Sequence, residues 1–161
     1  MKYHMLRHDK EITDEGTLKR ILKTTQYVTL AMVKDNEPYL VSLSHGYDEK
    51  SHCIYFHSAK KGKKLDFMRA NPVVWGQALL DHGYVEIECS HNFASVMFSG
   101  KVSFIEDEEE RWKAISLMNR QLDPNAEEMI ANRKPESLDR AVIGKNVIDY
   151  WSGKKSPEVT V

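Results

Sequence analysis

The sequence predicts a mainly β domain in which antiparallel strands close into a barrel, with helices packed around it. Short runs of apolar, β-branched and aromatic residues recur along the chain, as is typical of strands. Turn-forming clusters such as 35–38 and 48–51 separate these runs. An open sheet of six such strands would leave two long unpaired edges, so closure or partial closure into a barrel is expected.

Strand runs lie on both sides of the first turn, so we expect 27–33 and 39–47 to pair as a hairpin. Further strands are predicted at 53–56, 73–80, 84–89, 94–105 and 141–150. We expect a turn at 81–83 and a bulge at Ser99-Gly100, where small residues interrupt the longest strand. Residues 73–75 have the uniformly apolar character of a strand that is buried on both faces.

Four helices are predicted around the barrel, at 13–24, 63–70, 107–122 and 124–133. In the first helix, Leu18, Ile21 and Leu22 fall on one face, which is the pattern of an amphipathic helix. In the third helix, Asp107 and Glu110 have the spacing of a capping box, with Asp107 as the N-cap.

A chain of 161 residues is the size of one domain, so we expect a single domain over 1–161, with the barrel at about 27–106 and 141–150. Any large cofactor site would then have to be shared between subunits. The 23 Lys and Arg residues nearly balance the 24 Asp and Glu residues, which leaves a net charge of −1. This balance provides no overall field that would attract nucleic acid or an anionic membrane.

The spacing of cysteines and histidines predicts no metal site. Cys53 and Cys89 lack CxxC spacing and lie in strand-like surroundings, so we interpret them as buried free thiols in a reducing compartment. Surface positions are expected for four histidines in or beside turns, namely His45, His52, His82 and His91. Neither a signal-like apolar run at the N-terminus nor a run of about 18 apolar residues occurs, so a cytoplasmic protein is predicted.

Residues 53–72 carry the strongest functional signal. An apolar strand ends in His57 and Ser58, a loop with four lysines and a glycine follows, and a helix begins near Lys63. Helix N-terminal N–H groups and nearby ammonium groups both favour an anion, so this segment predicts a phosphate site. The alternative is that the lysines form a solvated basic face, as most lysine runs do.

Several segments form an ordered pattern: EITD at 11–14, PYLVSLSHGYD at 38–48, YFHSAKKGKKL at 55–65, NPVV at 71–74 and FASVMFSG at 93–100, with a weaker match, VIDYWSGK, at 147–154. In this order they resemble the FMN-binding split-barrel superfamily, which includes pyridoxamine-phosphate oxidases. Within it they are most similar to the nitroimidazole-resistance (Nim-like) flavoproteins. The resemblance spans about residues 7–154 and is far more specific than any single motif.

The resemblance implies an antiparallel split β-barrel of the FMN-binding type, assembled as a homodimer with one FMN in each of two clefts between the subunits. The residues that it assigns to cofactor binding are Leu40, Val41, Ser42, Leu43, Ser44, His57, Ser58, Lys61, Gly62, Lys63 and Ser95. It implies that the strand at 40–44 lies along the isoalloxazine ring and offers it backbone hydrogen bonds. Lys63 would bind the phosphate, with Lys61 and the Gly62 amide beside it.

The same resemblance gives roles to three polar residues near the ring. His57 and Ser58 would contact the ribityl chain and the ring edge, and Ser95 would approach the cofactor from the partner subunit's strand. His57 is also the candidate catalytic residue, which would donate a proton to a reduced substrate or hold an anionic ligand. The alternative is a structural histidine at a strand end.

The chain departs from pyridoxamine-phosphate oxidases at two positions and at its C-terminal segment. Those enzymes have an arginine where this chain has Leu40 and a lysine where it has His45. Their arginine and histidine motif, which grips pyridoxal phosphate, is replaced here by WSGKK at 151–155. Pyridoxamine-phosphate oxidation is therefore not expected.

The leading hypothesis is an FMN-dependent oxidoreductase that reduces small electrophilic or nitro-aromatic compounds, with electrons from NAD(P)H or a redox protein. A second hypothesis is a non-catalytic flavin- or haem-binding carrier or sensor, which the lack of an obvious nicotinamide site supports. A third is a nucleic-acid-associated protein that uses the lysines at 60–64. The balanced charge and the lack of an aromatic stacking platform beside those lysines disfavour it.

Overall fold

Within residues 5–161, which the computed structural model describes apart from the side chains of 135 and 137, seven strands form one antiparallel sheet. The strands are β1 (Glu11–Ile12), β2 (Tyr27–Lys34), β3 (Glu37–Asp48), β4 (Cys53–Ser58), β5 (Val73–Val85), β6 (Ser90–Phe104) and β7 (Val142–Lys155). Their order is β1-β7-β4-β3-β2-β5-β6, and a further β6–β7 ladder closes the sheet into a barrel. The predicted fold class is confirmed. The predicted domain starts at residue 1, and residues 1–4 lie outside the described part.

Four helices surround the barrel: α1 (Glu15–Thr24), α2 (Lys63–Ala70), α3 (Glu108–Leu122) and α4 (Ala126–Ala131), with short 3-10 helices at His8–Lys10 and Pro135–Arg140. α1 packs Leu18, Ile21 and Leu22 into the barrel core, as its pattern predicts. Asp107 is the N-cap of α3, and its Oδ1 accepts a hydrogen bond from the Glu110 backbone N–H at 2.8 Å. No helix in the described part of the chain is long and apolar enough to cross a bilayer.

Most strand boundaries shift by a few residues from the prediction, and the ends of β5 and β7 shift most. β7 continues past the predicted end at 150, because its last residues pair with both β1 and the start of β6. β5 continues through the predicted turn at 81–83 to Val85, with an irregular register between Asp81 and Tyr84. The separate strand predicted at 84–89 is therefore wrong. The chain reverses instead at 86–89, without a glycine-based turn signal.

The bulge predicted at Ser99-Gly100 is present, because the register between β6 and β7 shifts there. A β-carbon on Gly100 would lie 1.9 Å from the backbone carbonyl oxygen of Val147. The two strands can approach this closely only because residue 100 has no side chain. The bulge thus lets the long strand β6 bend and close the barrel against β7.

His45 lies in β3 and is completely buried, so the surface position expected from the neighbouring turn residues is wrong. Its Nε2 lies 2.8 Å from the Leu22 carbonyl oxygen in the last turn of α1, and Gln121 of α3 donates to the same oxygen at 3.0 Å. Burial lowers the pKa of His45, against an opposing effect of the bond to Leu22. A neutral imidazole therefore joins the barrel to two helices.

This burial makes the fold sensitive to acid. Because the folded-state pKa of His45 lies below the unfolded-state value near 6.5, the unfolded chain binds more protons, and stability falls as pH falls through that value. We expect the free energy of unfolding, measured with urea at about pH 7.5 and about pH 5.5, to decrease more in the wild type than in His45→Gln. Glutamine keeps a donor for Leu22 and does not titrate. Equal decreases in the two proteins would contradict this assignment.

Candidate functional site

β3 and β4 pair over only part of their length. Their ladder ends at the pair formed by His45 and Phe56. Beyond that pair, β3 stays hydrogen-bonded to β2, and β4 stays hydrogen-bonded to β7. The resulting opening, here named the β3–β4 gap, is bordered by residues 37–44 on one side and 57–63 on the other. It is a split in the barrel wall, and it is bordered by all the predicted cofactor residues except Ser95.

An ion pair bridges the far end of the β3–β4 gap. The Lys63 Nζ, in the first turn of α2, lies 2.6 Å from the Glu37 Oε1 at the start of β3. The same ammonium lies 5.0 Å from the ring centroid of Tyr39 and 5.2 Å from that of Phe67. The hydrogen bond from Lys63 lowers the pKa of the Glu37 carboxyl. One end of the gap is therefore closed by backbone pairing and the other by a charge pair.

The loop between β4 and α2 carries two features that fit an anionic ligand. Ser58 is only 4% exposed, yet its Oγ has no hydrogen-bond partner within the described residues. Burial of an unpaired hydroxyl is costly unless a ligand or water completes it. Gly62 has a φ of 144°, and open space surrounds the position that a β-carbon would take. Its amide and the first N–H groups of α2 lie beside the exposed Lys61.

The segment 40–44 alternates across β3. The side chains of Leu40, Ser42 and Ser44 are exposed on the outside of the sheet, and Leu43 lies in the barrel core with the partly buried Val41 packed against it. Val41 and Leu43 can therefore offer a ligand only backbone groups. On the gap side of this segment, no strand of the described chain pairs with β3 beyond His45. Its backbone donors and acceptors are open to a ligand there.

His57 lies on the outer side of β4, together with Cys53 and Tyr55. α3 covers Cys53 and Tyr55, which pack with Ala114 and Met118. It leaves His57 exposed, at the edge of the gap and next to Ser58. The imidazole is thus accessible to a small molecule that binds beside α3.

Charged groups hold α3 at this position, and sequence reasoning missed them. Lys113 donates to Asp48 at 2.5 Å, and Lys145 donates to Glu110 at 2.7 Å. Tyr55 also donates its hydroxyl to Glu110, at 3.2 Å. Burial pushes the pKa of Asp48 upward, but the bonds from Lys113 and Ser51 outweigh it and lower the pKa to about 2. The partners are far apart in the sequence, so no local spacing could reveal them.

Ser95 lies apart from the other predicted cofactor residues. It is in β6. Strands β5 and β2 lie between β6 and β3, and β7 lies between β6 and β4. Its side chain is buried, and its Oγ donates to the Lys154 carbonyl oxygen at 3.5 Å. Within one chain, the structure does not bring Ser95 to the β3–β4 gap.

The sheet exposes apolar side chains on its outside. This outer apolar face comprises Tyr27, Leu40, Val73, Trp75, Leu79 and Met97. The predicted burial of 73–75 on both faces is wrong, because Val73 and Trp75 are 48% and 44% exposed while only Val74 faces the core. The barrel has one interior, so alternate residues of β5 must point away from it. Apolar patches of this kind mark interaction surfaces.

An open groove of about 910 Å³ between α3 and α4 is a second cavity, lined by Trp112, Leu117 and Ile130 among others. Its basic side chains already have partners: Arg133 stacks on Trp112, and Arg120 pairs with Glu127. The groove therefore offers a ligand less than the β3–β4 gap does. Among residues 5–161, no group of three or more His, Cys, Asp or Glu side chains is arranged to hold a metal ion.

Comparison with known proteins relates most of the chain to one protein family and to several solved structures of the same fold. A family model described as pyridoxamine 5'-phosphate oxidase matches residues 14–155. A candidate 5-nitroimidazole antibiotic resistance protein from Bacteroides thetaiotaomicron superposes with a TM-score of 0.75 at 23% identity, over 94% of this chain and 95% of that one. The flavocytochrome Anf3 from Azotobacter vinelandii gives 0.80 at 18% identity, over 96% and 72% of the two chains.

A third similar structure is an FAD-binding protein from Mesorhizobium loti, with a TM-score of 0.67 at 24% identity, over 91% of this chain and 97% of that one. A search of curated protein sequences found no significant match. At these identities, the superpositions establish the split-barrel fold. The chemistry of the β3–β4 gap follows from the residues that line it.

The unpaired hydroxyl of Ser58 allows a direct test of the site. In the ligand-free protein, Ser58→Ala removes a buried group that forms no bond, so we expect unfolding in urea to show unchanged or slightly higher stability, by about 0–1 kcal/mol. The matched control is Ser51→Ala, because Ser51 donates its hydroxyl to Asp48 at 2.5 Å. The control should lose about 1 kcal/mol. A comparable loss in Ser58→Ala would show that its hydroxyl has a structural partner.

Proposed function

The chain belongs to the pyridoxamine 5'-phosphate oxidase family, and we propose that it is an FMN-dependent oxidoreductase of the Nim-like type, which reduces small electrophilic or nitro-aromatic compounds. The observation that carries this proposal is the β3–β4 gap. It combines an open strand edge, an unpaired buried hydroxyl at Ser58 and a lysine at the start of α2. The electron donor would be NAD(P)H or a redox protein.

The residues of the gap fit FMN. The phosphate would bind Lys63 and Lys61, the Gly62 amide and the N-terminal N–H groups of α2, because a dianion needs both cations and N–H donors. The isoalloxazine ring would lie along 40–44 and accept or donate hydrogen bonds at the free backbone edge. Ser58 would complete its bonding with a polar group of the flavin. Similar folds in FAD-binding and flavocytochrome proteins support a flavin in general, and FMN in particular is our proposal.

We do not assign pyridoxamine-phosphate oxidation to the chain. Leu40 is an exposed apolar side chain where those enzymes have an arginine. His45 is buried and engaged with Leu22, so it cannot reach a ligand in place of their lysine. The C-terminal residues 151–155 belong to strand β7, which pairs with β6. The arginine and histidine that bind pyridoxal phosphate in those enzymes are absent from this segment.

When bound, FMN supplies hydride or electron transfer to the substrate. The protein's contribution is orientation, exclusion of water and delivery of a proton. Leu40 and the neighbouring outer apolar face would hold an aromatic substrate against the flavin. His57, exposed at the edge of the gap, would donate the proton that a reduced nitro group takes up.

The functional unit of this proposal is a homodimer. The outer apolar face exposes six large apolar side chains, and a two-fold partner would cover them. In the same assembly, the partner's strand carrying Ser95 would approach the gap. We expect light scattering at micromolar concentration to give about twice the mass of the 18.6 kDa chain. A monomeric mass would contradict the shared-site arrangement.

A second candidate is a flavin or haem carrier or sensor without turnover of its own, which the similarity to a flavocytochrome favours. In either case we place the protein in the cytoplasm. Its two cysteines are both free thiols, as is usual in a reducing compartment. Cys53 is buried as predicted, but Cys89 is exposed in the turn at 86–89, so its predicted burial is wrong. Neither nucleic acid nor a membrane is part of the proposal.

Replacement of His57 by Ala separates the two candidates. A reductase that uses His57 for proton delivery should still bind FMN through the phosphate anchor at Gly62 and Lys63. It should lose roughly 10²-fold or more in nitro-compound turnover, measured with NADPH or dithionite-reduced flavin. His82→Ala, at an exposed histidine of β5, is the matched control and should retain activity. Full activity of FMN-loaded His57→Ala would rule out the catalytic role. A wild type that binds FMN but reduces no nitro compound would favour the carrier.

A further inference from the structure

Glu37 pairs with the Lys63 ammonium, which is the group that a flavin phosphate would need. The two side chains are 60% and 52% exposed, so the pair contributes little to the stability of the fold. It does, however, neutralise the lysine at the start of α2. A phosphate entering the gap would meet an ammonium that already has a carboxylate 2.6 Å away.

Contacts with two aromatic rings favour the position that the Lys63 ammonium occupies. The ammonium lies 5.0 Å from the ring centroid of Tyr39 and 5.2 Å from that of Phe67, and an aromatic face attracts a cation. A phosphate that binds Lys63 in this position meets the Glu37 carboxylate. It must either displace the Glu37 carboxylate or bind beside a like charge.

Glu37 has another cation within its reach. Lys34 lies directly opposite Glu37 in the β2–β3 ladder, and its charge also lowers the pKa of the carboxyl, after the larger effect of Lys63. When a phosphate takes Lys63, the carboxylate can move toward Lys34 and keep a counter-charge. Glu37 would therefore exchange Lys63 for Lys34 when the phosphate binds and return to Lys63 when the phosphate leaves.

We propose that Glu37 competes with the FMN phosphate for Lys63 and thereby makes the flavin a dissociable ligand. This inference rests on the proposed function, because it assigns the phosphate to Lys63. Leu40 acts in the same direction, since β3 provides no arginine to compensate for the neutralised lysine. Glu37 is thus a residue that sets affinity for the cofactor without a favourable contact to it.

The test is a set of flavin titrations, followed by quenching of flavin fluorescence. We expect Glu37→Gln to tighten FMN binding about three- to tenfold relative to wild type. Riboflavin, which lacks the phosphate, should bind both proteins equally. In a Lys63→Gln background, Glu37→Gln should change FMN affinity less than about twofold, since the contested ammonium is gone. Glu49→Gln is the matched control, because Glu49 is also exposed and pairs with Lys19 and Lys23 on another part of the surface.

Each outcome decides a separate point. Unchanged or weaker FMN binding in Glu37→Gln, with clear binding in the wild type, overturns the competition and leaves the proposed function standing. An equal gain with riboflavin, or in the Lys63→Gln background, also overturns it, because the effect would not act through the phosphate and Lys63. A wild type that binds no FMN at all overturns the proposed function itself.

Discussion

The site depends on the early end of the ladder between β3 and β4. Each strand keeps its other neighbour, so the barrel stays closed through β6 and β7 while one part of its wall opens. Backbone hydrogen-bonding groups left unpaired by such an opening require water or a ligand. The opening therefore creates a polar edge beside an apolar surface, which is what a flavin ring needs.

Contacts between residues that are far apart in the sequence hold the helices around the opening in place. α3 lies over the paired part of β3 and β4, anchored by Lys113 on Asp48 and by Lys145 on Glu110. On the inner side, His45 and Gln121 hold the end of α1 against the same strand. None of these contacts involves residues 40–44 or His57. The contacts therefore fix the shape of the β3–β4 gap and leave the residues that line it accessible.

The fold could be predicted largely from local patterns, because strand runs, turn clusters and helix faces are local signals. The bulge at Gly100 and the cap at Asp107 belong to this class. The exposure of Trp75 and the burial of His45 could not be predicted, since both depend on which strands and helices lie alongside. For the site, the sequence indicated the lysine loop, but not the pairing of Lys63 with Glu37. That contact joins residues 26 positions apart.

A crystal structure of the protein with FMN tests the central claim most directly. The account predicts the phosphate at roughly 3 Å from Lys63 Nζ, with Ser58 Oγ bonded to the flavin and the Glu37 carboxylate moved off the lysine. FMN bound elsewhere, for example in the groove between α3 and α4, with the Glu37–Lys63 pair intact and Ser58 still unpaired, would contradict it.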